Sequence, residues 1–174
     1  MQSHLLLTIS SKDKLGVIEA ISSAVEGVGA NWLESRLAHL SGKFLGIVRI
    51  SVDPAKTGEL ATALNALEAE GIQVGIEEPA DTEASQEAST SMQFSAVGPD
   101  RTGIVKEIAS ALSSKGINVE ELETNLSSMP YSGEPIFEAQ GLLSVPGSVD
   151  TKALFETLDS IANDLGIDFE LEPA

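Results

Sequence analysis

Two turns carry the residue types best placed for chemistry, Asp13-Lys14-Leu15-Gly16 and Asp100-Arg101-Thr102-Gly103. Each precedes an apolar run, Val17-Ile18 in the first and Ile104-Val105 in the second. A helix starting there offers free N–H donors and a positive dipole end, which suits a carboxylate. Lys12, Lys14 and Arg101 put cations beside that end in a chain with only ten Lys and Arg. Gly16 and Gly103 leave room for a small ligand. Asn31 and Asn118, each ahead of a predicted strand, can accept from an ammonium group and donate to a carboxylate; both also suit a plain turn. The candidate ligand-binding set is therefore Ser11, Lys12, Asp13, Lys14, Gly16, Val17 and Asn31, with Gly98, Asp100, Arg101, Gly103, Ile104 and Asn118 as its counterpart. These are the parts of an amino-acid site. The same turns have a structural use, because Asp13 and Asp100 can N-cap the helices predicted after them.

Other chemistry finds little support. Cys is absent, which removes disulfides, thiolate metal sites and thiol nucleophiles. His4 and His39 have no Ser or Asp partner in a motif and no metal-ligand spacing. Phosphate-binding glycine motifs are missing, and neither turn has the Gly-rich cradle of an acylphosphatase. Glu120, Glu121 and Glu123 read as a solvated element end in preference to a cation site. The expectation is no catalytic residue, no metal and no cofactor. The net charge is −17. So acidic a surface repels phosphate, which argues against direct nucleic-acid binding and against docking on an anionic membrane. Leu5-Leu6-Leu7 is too short for a signal or membrane segment, so a soluble cytoplasmic protein is expected.

The elements that must position these turns occur twice. At a constant offset of 87 residues, Asp13, Gly16, Ile21, Ala24, Gly29, Asn31 and Glu34 recur as Asp100, Gly103, Ile108, Ala111, Gly116, Asn118 and Glu121. Later the offset drifts, which predicts a longer hairpin around Met129 to Glu134. Strand one is expected at Leu5–Ile9 and Met92–Val97. Helix one comes next with helical apolar spacing at Val17, Ile18, Ile21, Val25 and Val28, or Ile104, Val105, Ile108 and Leu112. Gly29 and Gly116 fall where a left-handed residue ends a helix. Strand three is expected at Phe44–Val52 and Ile136–Val145, helix two around Leu60–Leu67 and Phe155–Leu165, and strand four at Ile72–Ile76 and Ile167–Leu171. The order β-α-β-β-α-β, twice, predicts an α+β chain of two tandem ferredoxin-like units, antiparallel sheets with helices on one face. The domains are expected at 1–78 and 92–174, with a flexible acidic linker at 79–91 that lacks large apolar residues. The open sheet faces invite pairing with the other repeat or with a second chain. Residues 1–80 hold ten acids and six bases, and residues 92–174 fourteen and four. That excess suits solubility, or a basic partner such as a DNA-binding protein.

The D-[KR]-x-G turn before an apolar helix resembles the ACT-domain pattern D-R-P-G-[IV]-[VL], with Leu15 and Thr102 where that pattern has Pro. Glu34-Ser35-Arg36-Leu37-Ala38-His39-Leu40 with Phe44, then Asn118-Val119-Glu120-Glu121-Leu122 and Ser132-Gly133-Glu134-Pro135-Ile136-Phe137, resemble the glycine cleavage system transcriptional repressors. The resemblance covers the chain apart from the linker. It implies tandem ACT domains that bind a small amino acid, glycine among them, where the loop after strand one faces strand two of a neighbouring module. It also implies a partner, a LysR-type transcriptional activator of the glycine cleavage operon, contacted without DNA binding, and a homodimer as one form of assembly. The competing expectation is an ACT-based assembly module with no small-molecule ligand.

Overall fold

The computed structural model describes residues 2–79 and 89–174. The chain divides into two compact units, Met1–Ala84 and Ser85–Ala174. Most of the linker expected at 79–91 lies outside the described residues.

The first unit runs β1 (Ser3–Lys12), α1 (Val17–Gly27), β2 (Asn31–Leu40), β3 (Lys43–Val52), α2 (Thr57–Ala66) and β4 (Ile72–Glu77). The second runs β5 (Ser89–Pro99), α3 (Ile104–Ser114), β6 (Asn118–Ser128), β7 (Pro135–Pro146), α4 (Thr151–Leu165) and β8 (Asp168–Pro173). The sheets are antiparallel, in the order β2-β3-β1-β4 and β6-β7-β5-β8. This is the α+β, twice ferredoxin-like arrangement that the element order predicted.

Strand alternation places the core. Leu5, Leu7 and Ile9 of β1 point to the helix side, with Val48, Ile50, Ile21, Leu60 and Leu64. Phe94, Ala96, Leu143, Ile108, Leu154 and Leu158 do the same in the second unit. The opposite faces carry no helix.

Local chemistry sets the ends of the elements. Gly29 has φ 75°. Its N–H reaches the Glu26 carbonyl at 2.8 Å, and the Ala30 N–H reaches that of Val25 at 3.1 Å. Gly116 and Ile117 repeat this at Ser113 and Leu112, each 3.0 Å. Both first helices therefore stop in a Schellman motif, which requires the left-handed residue that glycine supplies without strain. The β2–β3 turn is Ser41-Gly42, both at positive φ, the primed geometry that matches strand twist. The β6–β7 turn is longer and closes with the Met129 N–H on the Glu134 carbonyl at 2.8 Å, where the drifting offset placed the insertion. One shared feature has no signal in the sequence pattern: the register shifts between Trp32 and Glu34 and again between Val119 and Glu121.

Candidate functional site

Each turn leaves the sheet where a backbone bond ties it to the neighbouring hairpin. The Asp13 N–H donates to the Gly42 carbonyl at 3.0 Å, and the Asp100 N–H to that of Pro135 at 3.0 Å. The chain then reverses through Gly16 (φ 88°) and Gly103 (φ 104°), which precede α1 and α3. No side chain caps either helix. The expectation that Asp13 and Asp100 act as N-caps is corrected. Three residues separate each Asp from its helix, and the cap position belongs to a left-handed glycine with no side-chain oxygen to offer.

Side-chain caps occur instead on the short turn ahead of α2 and on α4. Asp53 Oδ1 accepts from the Ala55 N–H at 2.9 Å in the helical turn ahead of α2. Asp150 Oδ1 accepts from Lys152 N–H at 2.9 Å and Ala153 N–H at 3.4 Å. In the second unit an aspartate satisfies the start of α4 and leaves that of α3 bare; in the first, Asp53 caps the turn leading into α2, and α1 has no such turn ahead of it and no side-chain cap. A bare start presents N–H donors and a positive dipole end to an anion.

The remaining candidates fall into distinct places. Asp13, Lys12, Asp100 and Arg101 are exposed. Lys14 donates from Nζ to the Glu70 carbonyl at 2.7 Å, so its charge serves the end of the helical turn after α2. Val17 and Ile104 are buried core residues that offer a ligand only their backbone. Ser11 is 3% exposed and donates to the Lys12 carbonyl at 2.8 Å. A Cβ on Gly16 would meet nothing within 4 Å, whereas one on Gly103 would lie 3.7 Å from Glu107 Oε1. A Cβ on Gly98 would lie 2.6 Å from Ile167 Cγ2, so strand packing uses that space.

Asn31 and Asn118 are not brought to the turn of their own unit. Asn31 pairs with Ser51, which pairs with His4, at the far end of β1 from Lys12. Eight residues of strand separate the two levels, about 26 Å at ~3.3 Å per residue. The register of Asn118, Ser144 and Ser91 gives the second unit the same separation.

Sequence reasoning misses a polar groove on the open face of the second sheet, lined by Ser95, Glu123, Asn125, Glu138 and Gln140. Gln140 Nε2 donates to Glu123 Oε2 at 3.0 Å. Asn125 Nδ2 and Ser127 Oγ donate to Glu138 at 3.3 and 2.9 Å. The alternation of Glu138 and Gln140 with Phe137 and Ala139 is its available signal. Among the described residues, no three His, Cys, Asp or Glu side chains converge as metal ligands. His4 and His39 are both exposed. Among the described residues, no helix is long and apolar enough to cross a membrane.

The βαββαβ order and the strand order define two tandem ferredoxin-like units, each with a glycine turn ahead of its first helix. Residues 3–77 match the ACT domain family model, so the first unit is an ACT domain; the second repeats its fold. An unknown protein from Galdieria sulphuraria superposes with a TM-score of 0.89 at 25% identity, covering 100% of this chain and 99% of that one. A protein provisionally assigned as a glycine cleavage system transcriptional repressor superposes with a TM-score of 0.69 at 17% identity, covering 99% and 97%. At that identity the second likeness speaks for the fold. A search of curated proteins finds no significant match.

Proposed function

We propose that this chain is a non-catalytic regulator that senses a small amino acid through its ACT units. Its ligand state would change its contact with a transcription factor, glycine and a LysR-type activator of the glycine cleavage operon being the pair to try first. The carrying observation is the bare start of α1 behind Gly16, in a unit whose other helix is led by an aspartate cap. A ligand carboxylate would accept from the free N–H groups of α1. The exposed Asp13 carboxylate would accept from its ammonium group, and Lys12 adds a nearby cation. The first unit is the better sensor, because Gly16 faces open space while Glu107 stands beside Gly103. Gly98, Asp100, Arg101, Gly103 and Ile104 form the weaker counterpart. Asn31 and Asn118 serve such a site only when they come from a module other than the one whose turn they complete.

The test is a thermal-shift screen of the full chain against the twenty amino acids. A ligand at about 100 times its Kd adds ~2.7 kcal/mol to the state it binds. Asp13→Ala is expected to abolish the shift while leaving the unliganded melting temperature unchanged, and Asp100→Ala to retain most of it. If no amino acid shifts the wild type at millimolar concentration, the sensing reading fails. The second reading, an assembly module without a ligand, then takes its place, supported by the acidic open face of the second sheet.

A further inference from the structure

The repeat makes the two units comparable position by position, and they differ between the first helix and the outer strand beside it. Near the start of β2, Trp32 stands opposite Ile50, which pairs with Leu5. Near the start of β6, Val119 stands opposite Leu143, which pairs with Met92. The offset of 87 relates Trp32 to Val119 and Leu5 to Met92, so the two residues hold one place in their sheets. Trp32 packs partly buried against the first core. Val119 packs against the second with far less bulk. The next level of the sheet loses volume again. Gly141 stands opposite Phe94 and Leu122, where the first unit has Val48, fully buried, opposite Leu7 and Ser35.

The result is a cleft between α3 and β6 lined by apolar residues alone. Buried Phe94 and Leu112 lie at its floor, and Val105 and Leu122, 43% and 50% exposed, at its mouth. Counted out to that mouth it holds about 320 Å³, open solvent included, the lower end of the range for ligand pockets. The cleft is narrow as it stands, so a ring enters as the exposed Val105 and Leu122 side chains give way. With no charged or hydrogen-bonding side chain in the lining, a charged ligand would lose its hydration and gain no partner. Phe94 and Phe137 offer aromatic rings to pack against.

We propose that the second unit binds a small uncharged aromatic molecule, of the size of indole, in the cleft between α3 and β6. The first unit shows what suits this place in the fold, because there the sequence itself supplies an indole, that of Trp32. The second unit keeps the place and omits the ring. No copy of this chain can restore it, since Trp32 is the sole Trp and is committed to the first core. A strand or helix laid across the mouth would leave Phe94 uncovered, whereas a free ring can slide in edgewise. This inference stands apart from the amino-acid site at the start of α1. It concerns the other unit, and the side chains of the cleft offer nothing to a carboxylate or an ammonium group.

The experiment is a titration of the full chain with indole, which has neither amine nor carboxylate, followed by methyl NMR. Saturable shifts are expected at Val105, Val119 and Leu122, with Ile18, the exposed counterpart of Val105 on α1, unmoved. Val119→Trp supplies the ring from within, and is expected to abolish the saturable shifts at Val105 and Leu122 while the backbone spectrum of both units stays native. Ala109→Leu narrows the same cleft from α3 and should also abolish binding, so the test survives a Val119→Trp chain that fails to fold. Indole-3-acetate, the same ring with a carboxylate, is expected to produce no saturable shift in the cleft. A wild type with no saturable response into the millimolar range overturns the proposal, as it would if another module or a partner's side chain already filled the cleft. So do shifts of equal size at Ile18, which would mean indiscriminate contact with exposed apolar surface. A folded plugged variant that binds as wild type does, or an acetate derivative that binds as well as indole, overturns it too.

Discussion

At the scale of single residues, the same amino acid does different work according to the few atoms around it. Four aspartates stand ahead of helices or helical turns, and only Asp53 and Asp150 cap the segment behind them. Asp150→Ala removes the acceptor for two backbone N–H groups. It is expected to destabilise the second unit by about 1 kcal/mol, whereas Asp100→Ala, with no cap to lose, should stay within ~0.5 kcal/mol. Urea unfolding followed by a probe in the second unit would read both, and equal losses would refute the distinction. The sequence could not separate these aspartates. The relevant variable is the number of residues between Asp and the first helical turn, and Gly16 and Gly103 shift that start by adopting positive φ. Gly141 raises a similar problem. A Cβ there would lie 2.1 Å from the Glu121 carbonyl oxygen and 2.7 Å from Phe94 Cε1. No neighbour along the chain signals that approach, because it is made across the sheet. Gly141→Ala must push β6 away from β7, and is expected to cost more than about 3 kcal/mol, at the upper end of single-site effects, in the same unfolding assay.

At the scale of elements, α1 and α2 lie side by side on one sheet face, and the chain ahead of each supplies a lysine to the end of the other. Lys56, just before α2, donates from Nζ to the Val28 carbonyl at 3.0 Å. Lys14, just before α1, donates to the Glu70 carbonyl at 2.7 Å. Helix ends carry unpaired carbonyls and a partial negative charge, so a cation there is favourable. Lys56→Met keeps the apolar stem and removes the donor. The expected loss is about 1 kcal/mol for the partly buried contact, with less for Lys14→Met, which is exposed. Thermal unfolding at low and high salt would check this, and a Lys56 effect that survives conversion to Arg would point to size and not charge. Element order, helix ends and hairpin lengths could all be read from the sequence, because periodicity and left-handed glycines are local signals. The matched bulges between Trp32 and Glu34 and between Val119 and Glu121 could not. An extra residue in a strand needs no special residue type, and here Leu33 and Glu120 serve equally. The bulge nevertheless sends Trp32 toward the core and Glu34 to the open face beside Arg49, so it decides which face each side chain of β2 serves.

At the scale of the whole chain, the duplication yields two cores with no residue in common, one built on Leu7, Ile21, Ile50 and Leu64 and the other on Phe94, Ile108, Leu143 and Leu158. Chains with separate cores need not unfold in one step, so a single melting temperature need not describe both units. Leu158→Ala removes a side chain that is 2% exposed. It should lower the stability of the second unit by about 2–5 kcal/mol, the cost of lost burial plus the cavity left behind. Native-state hydrogen exchange resolves where that cost falls. In Leu158→Ala, amides of β5, β7 and α3 are expected to exchange faster while those of β1, β3 and α1 keep their protection. Leu64→Ala, fully buried in the first unit, should give the reverse pattern. If either substitution accelerates exchange equally in both units, the cores unfold as one cooperative body, and separate hydrophobic clusters do not amount to energetic independence. If the effects stay apart, the ligand binding proposed for the start of α1 can be tested against the first unit's own transition, with the second unit as an internal reference in the same sample.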